Sequence, residues 1–121
     1  MNLFNWLILG HFVADWLLQS DWMAIGKRRH FFSTAGIVHY IIYTFIILLT
    51  LKSFSDQSAD MTVWLPIGAA VFFSHWLIDG SQLVRCLMRF FGQREQVMVT
   101  LVIDQTMHLL VIGAIAASLT A

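Results

Sequence analysis

A histidine and an aspartate lie one helical turn apart in the middle of a long apolar segment. The segment runs from Val63 to Val84, and the pair is His75 and Asp79. Side chains four residues apart share one face of a helix. In hydrocarbon, an ionisable side chain costs about 2.5–3.5 kcal/mol even on the lenient insertion scale, so such a pair marks a candidate functional site. Other apolar segments contain two similar pairs, His11 with Asp15 and Asp104 with His108.

The composition is that of an integral membrane protein. Hydrophobic residues make up 59% of the 121 residues and charged residues only 12%, about half the share found in soluble domains. The length predicts a single domain over residues 1–121. The formal net charge of zero argues against nucleic acid as a partner, and the single cysteine, Cys86, excludes an internal disulfide.

Four apolar segments have the length that a helix needs to cross a bilayer, about 20 residues. The sequence therefore predicts an all-α fold, a polytopic membrane protein with four transmembrane helices in an antiparallel bundle. We place the spans at about 3–23, 31–51, 63–84 and 96–119. After the third span an amphipathic extension is expected to lie at the membrane surface and to end at Gly92.

Basic residues are concentrated in two of the three connections between these spans. The first connection contains Lys27, Arg28 and Arg29, the third contains Arg85, Arg89 and Arg94, and the middle loop contains only Lys52. The positive-inside rule then places the first and third connections in the cytoplasm and both termini outside.

Antiparallel packing brings the three histidine–aspartate pairs to matching depths. The first and third spans carry histidine before aspartate, whereas the fourth span runs the other way and carries aspartate first. With about 1.5 Å rise per residue, each pair extends roughly 6 Å along its helix axis. The predicted layers are His11, His75 and His108 near the midplane, and Asp15, Asp79 and Asp104 nearer the cytoplasm.

A divalent-metal centre is the favoured interpretation of these layers. Imidazole and carboxylate ligands suit zinc, with iron or manganese as alternatives. The number of ions, one or two, stays open, although two divalent ions against three carboxylates leave one positive charge that a bridging hydroxide would cancel. A ligand role and a plain interhelical hydrogen bond are equally good interpretations of His39. The candidate ligands are His11, Asp15, His39, His75, Asp79, Asp104 and His108.

The histidine–aspartate pairs also fit two roles that need no bound metal. They can be hydrogen-bonded contacts that hold helices together, or they can form a pathway for protons or ions. Hydrogen-bonded contacts between helices would need only one histidine–aspartate pair, whereas the sequence has three such pairs at matched depth. A wide transport path does not fit inside one four-helix bundle unless the protein forms a homo-oligomer.

The motifs resemble those of a family of small bacterial and phage inner-membrane proteins of unknown function. The resemblance rests on His11-x-x-x-Asp15-x-x-x-Gln19 followed by Asp21-Trp22-Met23-Ala24, on His39, on His75-x-x-x-Asp79 and on Asp104-Gln105-x-x-His108. It covers nearly the whole chain and implies a bacterial inner-membrane location. The layout is also similar, more loosely, to membrane-bound metal-dependent hydrolases, a likeness that implies hydrolase activity by analogy.

The functional hypothesis is an intramembrane metal-dependent hydrolase with Asp15, Asp79 and Asp104 as candidate catalytic residues. The alternative is a small ion, proton or metal transporter, or a metal-binding membrane module without catalysis. The site is predicted about 9–18 Å below the cytoplasmic interface. The expected partners are therefore the lipid bilayer and an amphipathic or lipid-linked substrate. The sequence contains no His-Glu-x-x-His helix and no Gly-x-Ser-x-Gly elbow.

Overall fold

The computed structural model describes residues 1–29, 32–55, 60–93 and 96–121, and in these ranges every regular element is a helix. The all-α prediction is therefore confirmed for the described residues. The first helix continues directly into a π-helical turn, Val13–Leu17. The α-helices are α1 Leu3–Phe12, α2 Asp21–Arg29, α3 Thr34–Phe54, α4 Met61–Gly80, α5 Leu83–Phe90 and α6 Val97–Thr120.

Four of the helices pack in a ring. Going round the ring, α1 contacts α3, α3 contacts α4, α4 contacts α6, and α6 contacts α1. The short helices lie outside this ring, with α2 packed on α3 and α4, and α5 packed on α4 and α6. Four facing helices create one shared interior, which is where bundles hold their ligands.

Two apolar clusters show that neighbouring helices in the ring run in opposite directions. One cluster joins Leu3 at the start of α1 with Leu51 near the end of α3 and Ala116 near the end of α6. The other joins Ile78 near the end of α4 with α5 and with residues from the first half of α6. Along α4, His75 lies between Val71 of the first cluster and Ile78 of the second, and along α6, His108 lies between Met107 of the second cluster and Ile112 of the first.

Three helices, α3, α4 and α6, are long and apolar enough to cross a membrane, one fewer than the sequence predicted for this part of the chain. The predicted span 3–23 is interrupted because its first helical segment ends at Leu17. Ser20 then starts a new helix, since its Oγ accepts a hydrogen bond from the Met23 N–H at 3.4 Å. The apolar segment that precedes this break, Leu3–Leu17, is shorter than the other three.

The predicted third span also ends before Val84, where the sequence placed its end. Helix α4 stops at Gly80, and the Ser81 Oγ accepts a hydrogen bond from the Leu83 N–H at 3.2 Å as α5 begins. Helix α5 is amphipathic as predicted, with Met88 buried and Arg89 exposed.

The predicted stop at Gly92 is confirmed by a C-terminal hydrogen-bond pattern. Gly92 has φ +67°, and its N–H donates to the Arg89 carbonyl at 3.1 Å. The Gln93 N–H donates to the Met88 carbonyl at 2.8 Å. This pair of bonds satisfies the last carbonyls of α5, and it places the glycine in the left-handed conformation that other residues rarely adopt.

Helix α2 packs against α3 at Gly26 and Ala35, where neither helix has room for a larger side chain. A Cβ added to Gly26 would lie 2.3 Å from the Ala35 Cβ. We expect Gly26→Val to lower the free energy of unfolding by about 1–3 kcal/mol, because α2 must move away from α3. Thermal unfolding in detergent measures this loss. Gly113→Ala is the control, since its Cβ would meet Phe4 at an ordinary 3.4 Å, and equal melting of both variants would contradict the prediction.

Candidate metal centre

The first aspartate of the predicted layers lies inside the π-helical turn. The Leu18 N–H donates to the Val13 carbonyl at 2.9 Å, a bond that spans five residues instead of four. The wider turn rotates Asp15 away from the position that an α-helix would give it relative to His11. Single π turns occur frequently at functional sites. The Asp15 side chain is 4% exposed and points into the bundle toward α3.

Four side chains from the π-helical turn, α3 and α4 lie close together. The Nε2 atoms of His39 and His75 are 3.0 Å apart. Asp15 Oδ1 lies 3.2 Å from His39 Nε2 and 3.7 Å from His75 Nε2. Asp79 Oδ2 lies 3.4 Å from both of these nitrogens. All four side chains are at most 4% exposed.

These spacings are those of ligand atoms around one small cation. Zinc binds imidazole nitrogen and carboxylate oxygen at about 2.0–2.1 Å, so the corners of a regular tetrahedron around it lie about 3.3–3.4 Å apart. The five measured separations, from 3.0 to 3.7 Å, bracket that value. Asp15 Oδ1 is buried and, among the described residues, has only the two imidazole nitrogens of His39 and His75 near it and no hydrogen bond of good geometry, which is costly for a carboxylate unless a cation is present. The donor set therefore fits a divalent metal.

A second, smaller group shares Asp15 and adds α6. It consists of Asp15, Asp104 and His108, whose donor atoms lie within 4.8 Å of one another. The His108 Nδ1–H donates to the backbone carbonyl of Asp104 at 2.9 Å. That bond leaves the Nε2 lone pair free, an orientation typical of metal-ligating histidines. This Nε2 is buried without a hydrogen-bond partner, 3.5 Å from the Asp79 Oδ1.

Gln105 connects the two groups through hydrogen bonds. Its Nε2 donates to Asp15 Oδ2 and to Asp104 Oδ2, both at 3.1 Å. Because the amide nitrogen faces two carboxylates, its Oε1 must accept the hydrogen from His11 Nε2 at 2.8 Å. The Tyr43 hydroxyl then donates to His11 Nδ1 at 2.8 Å. Both ring nitrogens of His11 are therefore engaged.

The geometry separates His11 from the other six candidate ligands. His11 lies in the predicted histidine layer, with ring centres 5.2 Å from His108, which is in turn 4.5 Å from His75. It belongs to neither of the groups with metal-ligand spacing. The structure instead makes it a hydrogen-bonding support for Gln105. The six candidates that the two groups contain are Asp15, His39, His75, Asp79, Asp104 and His108.

Tyr43 is a site residue that was not among the candidates predicted from the sequence. Its ring stacks on His75 with centres 3.6 Å apart and planes within 12°, while its hydroxyl holds His11. The available signal was its spacing, because Tyr43 lies one turn after His39 on the same face of α3.

Lys27 is the second unexpected member of the site. The sequence pattern assigned it to a cytoplasmic connection, but its Nζ lies 2.5 Å from Asp79 Oδ2. Three carboxylates and one ammonium give a formal charge of −2, which one divalent cation balances. Counting the three carboxylates alone favoured two ions, and with this lysine included the charge no longer distinguishes two ions from one. No local pattern marks Lys27, since only the packing of α2 against α4 brings it to Asp79.

Gln105 provides a test of the link between the groups. Replacing it with leucine keeps the volume and removes both donor bonds to Asp15 and Asp104. We expect Gln105→Leu to weaken divalent-metal binding by about 10–100-fold, the usual effect of losing a residue that orients ligands. A chelator-competition titration measures it. Gln96→Leu is the control because Gln96 is exposed and its side chain makes no capping bond, and equal affinities in the two variants would contradict a bridging role.

Comparison with known proteins identifies a family. Residues 3–121 match a protein family described as "Protein of unknown function (DUF3307)". No curated protein and no solved structure matches the chain. The match covers every candidate ligand, and the description names no activity.

Proposed function

We propose, from the premise that the chain belongs to the DUF3307 family of proteins of unknown function, that it is an intramembrane metal-dependent hydrolase. Its His/Asp centre would act on an amphipathic or lipid-linked substrate. Zinc is the favoured metal, with iron or manganese as alternatives, because the donors are imidazole nitrogen and carboxylate oxygen.

One observation carries the proposal: four buried donor atoms lie 3.0–3.7 Å apart in five of their six pairs, close to the spacing of ligands around one tetrahedral cation. The donors are Asp15 Oδ1, His39 Nε2, His75 Nε2 and Asp79 Oδ2. The hypothesis of simple helix contacts fits less well, because two candidate donor atoms, Asp15 Oδ1 and His108 Nε2, are buried without hydrogen-bond partners among the described residues. A set of interhelical hydrogen bonds would be expected to satisfy such atoms.

The surface of the bundle supports a location in the membrane. Large apolar side chains are exposed along the three long helices, among them Phe45, Leu65 and Leu110 at 63%, 69% and 63%, whereas the histidines described above are buried. Exposed apolar faces around a polar interior are expected where lipid replaces water. The exposed Arg28, Arg85 and Arg89 lie on α2 and α5, which supports placing that end in the cytoplasm and both termini outside.

In this proposal, some side chains of the centre bind the metal and another transfers a proton. Asp15, His39, His75 and Asp79 would hold the metal. A divalent cation bound there would supply Lewis acidity and, by taking a water as an additional ligand beside these four side chains, would make that water nucleophilic at neutral pH. Asp104 is the carboxylate suited to take up and return a proton, because its side chain is 23% exposed whereas that of Asp79 is 3% exposed.

Hydrolysis is favoured over transport by the first apolar cluster, which lies on one side of the centre. A path to both aqueous faces would have to pass through the first cluster, which includes Leu7, Ile47 and Ile112 at 0–1% exposure. In the described part of the chain, a cavity lined by His75 and His108 has a volume of about 10 Å³. This volume holds about one water molecule.

Metal content and turnover test the proposal. Protein purified in detergent from medium supplemented with zinc, iron or manganese is expected to contain stoichiometric divalent metal by mass spectrometry. The loaded protein is then incubated with phosphate-ester and carboxylate-ester lipids in mixed micelles. Wild-type protein without bound metal overturns the metal centre. Bound metal without turnover of any ester removes the hydrolase assignment and leaves a metal-binding membrane protein.

A further inference from the structure

Lys27 is a basic side chain at the centre and is not one of its candidate metal ligands. It reaches Asp79 from α2, a helix outside the four-helix ring. Among the side chains that the structure describes, no other Lys or Arg pairs with a carboxylate of the centre. The contacted atom, Asp79 Oδ2, is also the one that lies 3.4 Å from both His39 Nε2 and His75 Nε2.

We infer that Lys27 binds a phosphoryl group of the ligand beside the metal. The inference rests on the proposed metal centre and names the chemical class of its substrate, a phosphate ester. Asp79 Oδ2 contributes to the tetrahedral donor set, so a bound divalent cation draws on the same negative charge that the ammonium uses. The ammonium, 11% exposed, has three N–H donors. Among the described residues it has one hydrogen-bond partner, Asp79 Oδ2, so two donors remain for an anionic ligand.

A phosphoryl group satisfies the metal and the lysine together. It carries several anionic oxygens, so one can contact the cation while another accepts hydrogen bonds from the ammonium. Lysine is a common phosphate ligand and acts there as a point charge.

Lys27 lies at a solvent-accessible edge of the centre. Of the three carboxylates and the lysine, only Asp104 at 23% and Lys27 at 11% have side chains exposed above 4%. An anion is repelled by the first and attracted by the second. Lys27 also lies next to the exposed Arg28 on α2, and clustered basic residues at a membrane surface attract phosphate-bearing molecules. Both a lipid headgroup and a soluble phosphate ester carry this chemistry.

The test compares Lys27 variants for metal content and phosphate binding separately. Wild type, Lys27→Met and Lys27→Gln are loaded with zinc in detergent, and inorganic phosphate is titrated by calorimetry. A second arm uses nanodiscs of phosphatidylcholine with or without phosphatidic acid. We expect both variants to keep the wild-type metal content and to bind phosphate about 10–100-fold more weakly, the range for losing a charge-assisted hydrogen bond. Lys52→Met, a change at an exposed lysine near the end of α3, should match wild type.

Each outcome decides the inference. Stronger loss of binding to phosphatidic acid nanodiscs supports a lipid headgroup as the source, and loss confined to inorganic phosphate supports a soluble ester. Equal phosphate affinity in wild type and both variants, with metal bound, overturns the role of Lys27 but leaves the metal centre intact. Metal-loaded wild type that binds neither probe also overturns it. Wild type without metal overturns this inference and the proposed function together. Lys27→Gln can still donate to Asp79, so it keeps the test valid if Lys27→Met does not fold.

Discussion

Asp79→Asn is expected to abolish metal binding, with a loss of affinity greater than about 100-fold, beyond the range for residues that only orient ligands. Asp79 is the most connected carboxylate of the centre, since its two oxygens lie within 3.5 Å of Lys27, His39, His75 and His108. Asparagine keeps the shape but lacks the charge, and an amide is not among the usual ligands of zinc. Metal analysis of purified protein and chelator competition measure the loss.

The same substitution has a second effect that must be separated from the first. It leaves the Lys27 ammonium without its carboxylate, and breaking a buried ion pair costs about 3–5 kcal/mol, less here because Lys27 is partly exposed. The double variant Asp79→Asn with Lys27→Met removes both charges. We expect it to regain thermal stability and still to lack metal. Asp21→Asn, at the exposed start of α2, is the matched control, and an Asp79→Asn protein with wild-type metal content would contradict the assignment.

Replacing His75 with glutamine is the second change with a large expected effect. His75 Nε2 lies 3.0–3.7 Å from the three other donors of the tetrahedral group, and its ring is held by stacking on Tyr43. Glutamine removes the nitrogen ligand at similar volume. We expect His75→Gln to lower metal affinity more than about 100-fold, again beyond the effect of an orienting residue.

His11→Gln is the comparison that separates the sequence hypothesis from the structure. The sequence assigns His11 and His75 the same role, whereas the structure gives both nitrogens of His11 hydrogen-bond partners, Tyr43 and Gln105. We therefore expect His11→Gln to retain metal, with affinity reduced by no more than about 10–100-fold. Metal loss equal to that of His75→Gln would mean that His11 is a ligand after all. Both variants are measured in the same chelator competition.

The sequence could predict that the histidines of different helices lie at matching depths, because depth depends only on the geometry of each helix. The rise per residue sets the depth of each side chain along its helix, and the order His75 before Asp79 but Asp104 before His108 follows from antiparallel neighbours. The ring contacts from His11 through His108 to His75 agree with this. The number of helices long enough to cross a membrane was harder to predict, because the polar stretch around Ser20 starts a new helix within an otherwise continuous apolar segment.

Residue spacing in the sequence could not predict which side chains form the four-residue donor group of Asp15, His39, His75 and Asp79. Whether a side chain reaches a common point depends on its direction around the helix axis and on the crossing of neighbouring helices, and the π turn at Val13–Leu17 alters that direction for Asp15. His39, which has no carboxylate one turn away, lies 3.0 Å from His75 because α3 packs against α4. The pattern of residues on one helix face cannot predict how that helix packs against its neighbour.

The amino-acid sequence by itself determined that this chain forms apolar helices with polar residues at matched levels, because periodicity and segment length are properties of one helix at a time. Only the tertiary structure decided which of those residues meet. It excluded His11 from the donor groups, and it brought in Gln105, Tyr43 and Lys27. The physical reason is that convergence of donor atoms to within 4.8 Å is set by packing between helices, which depends on contacts between residues that are far apart in the chain.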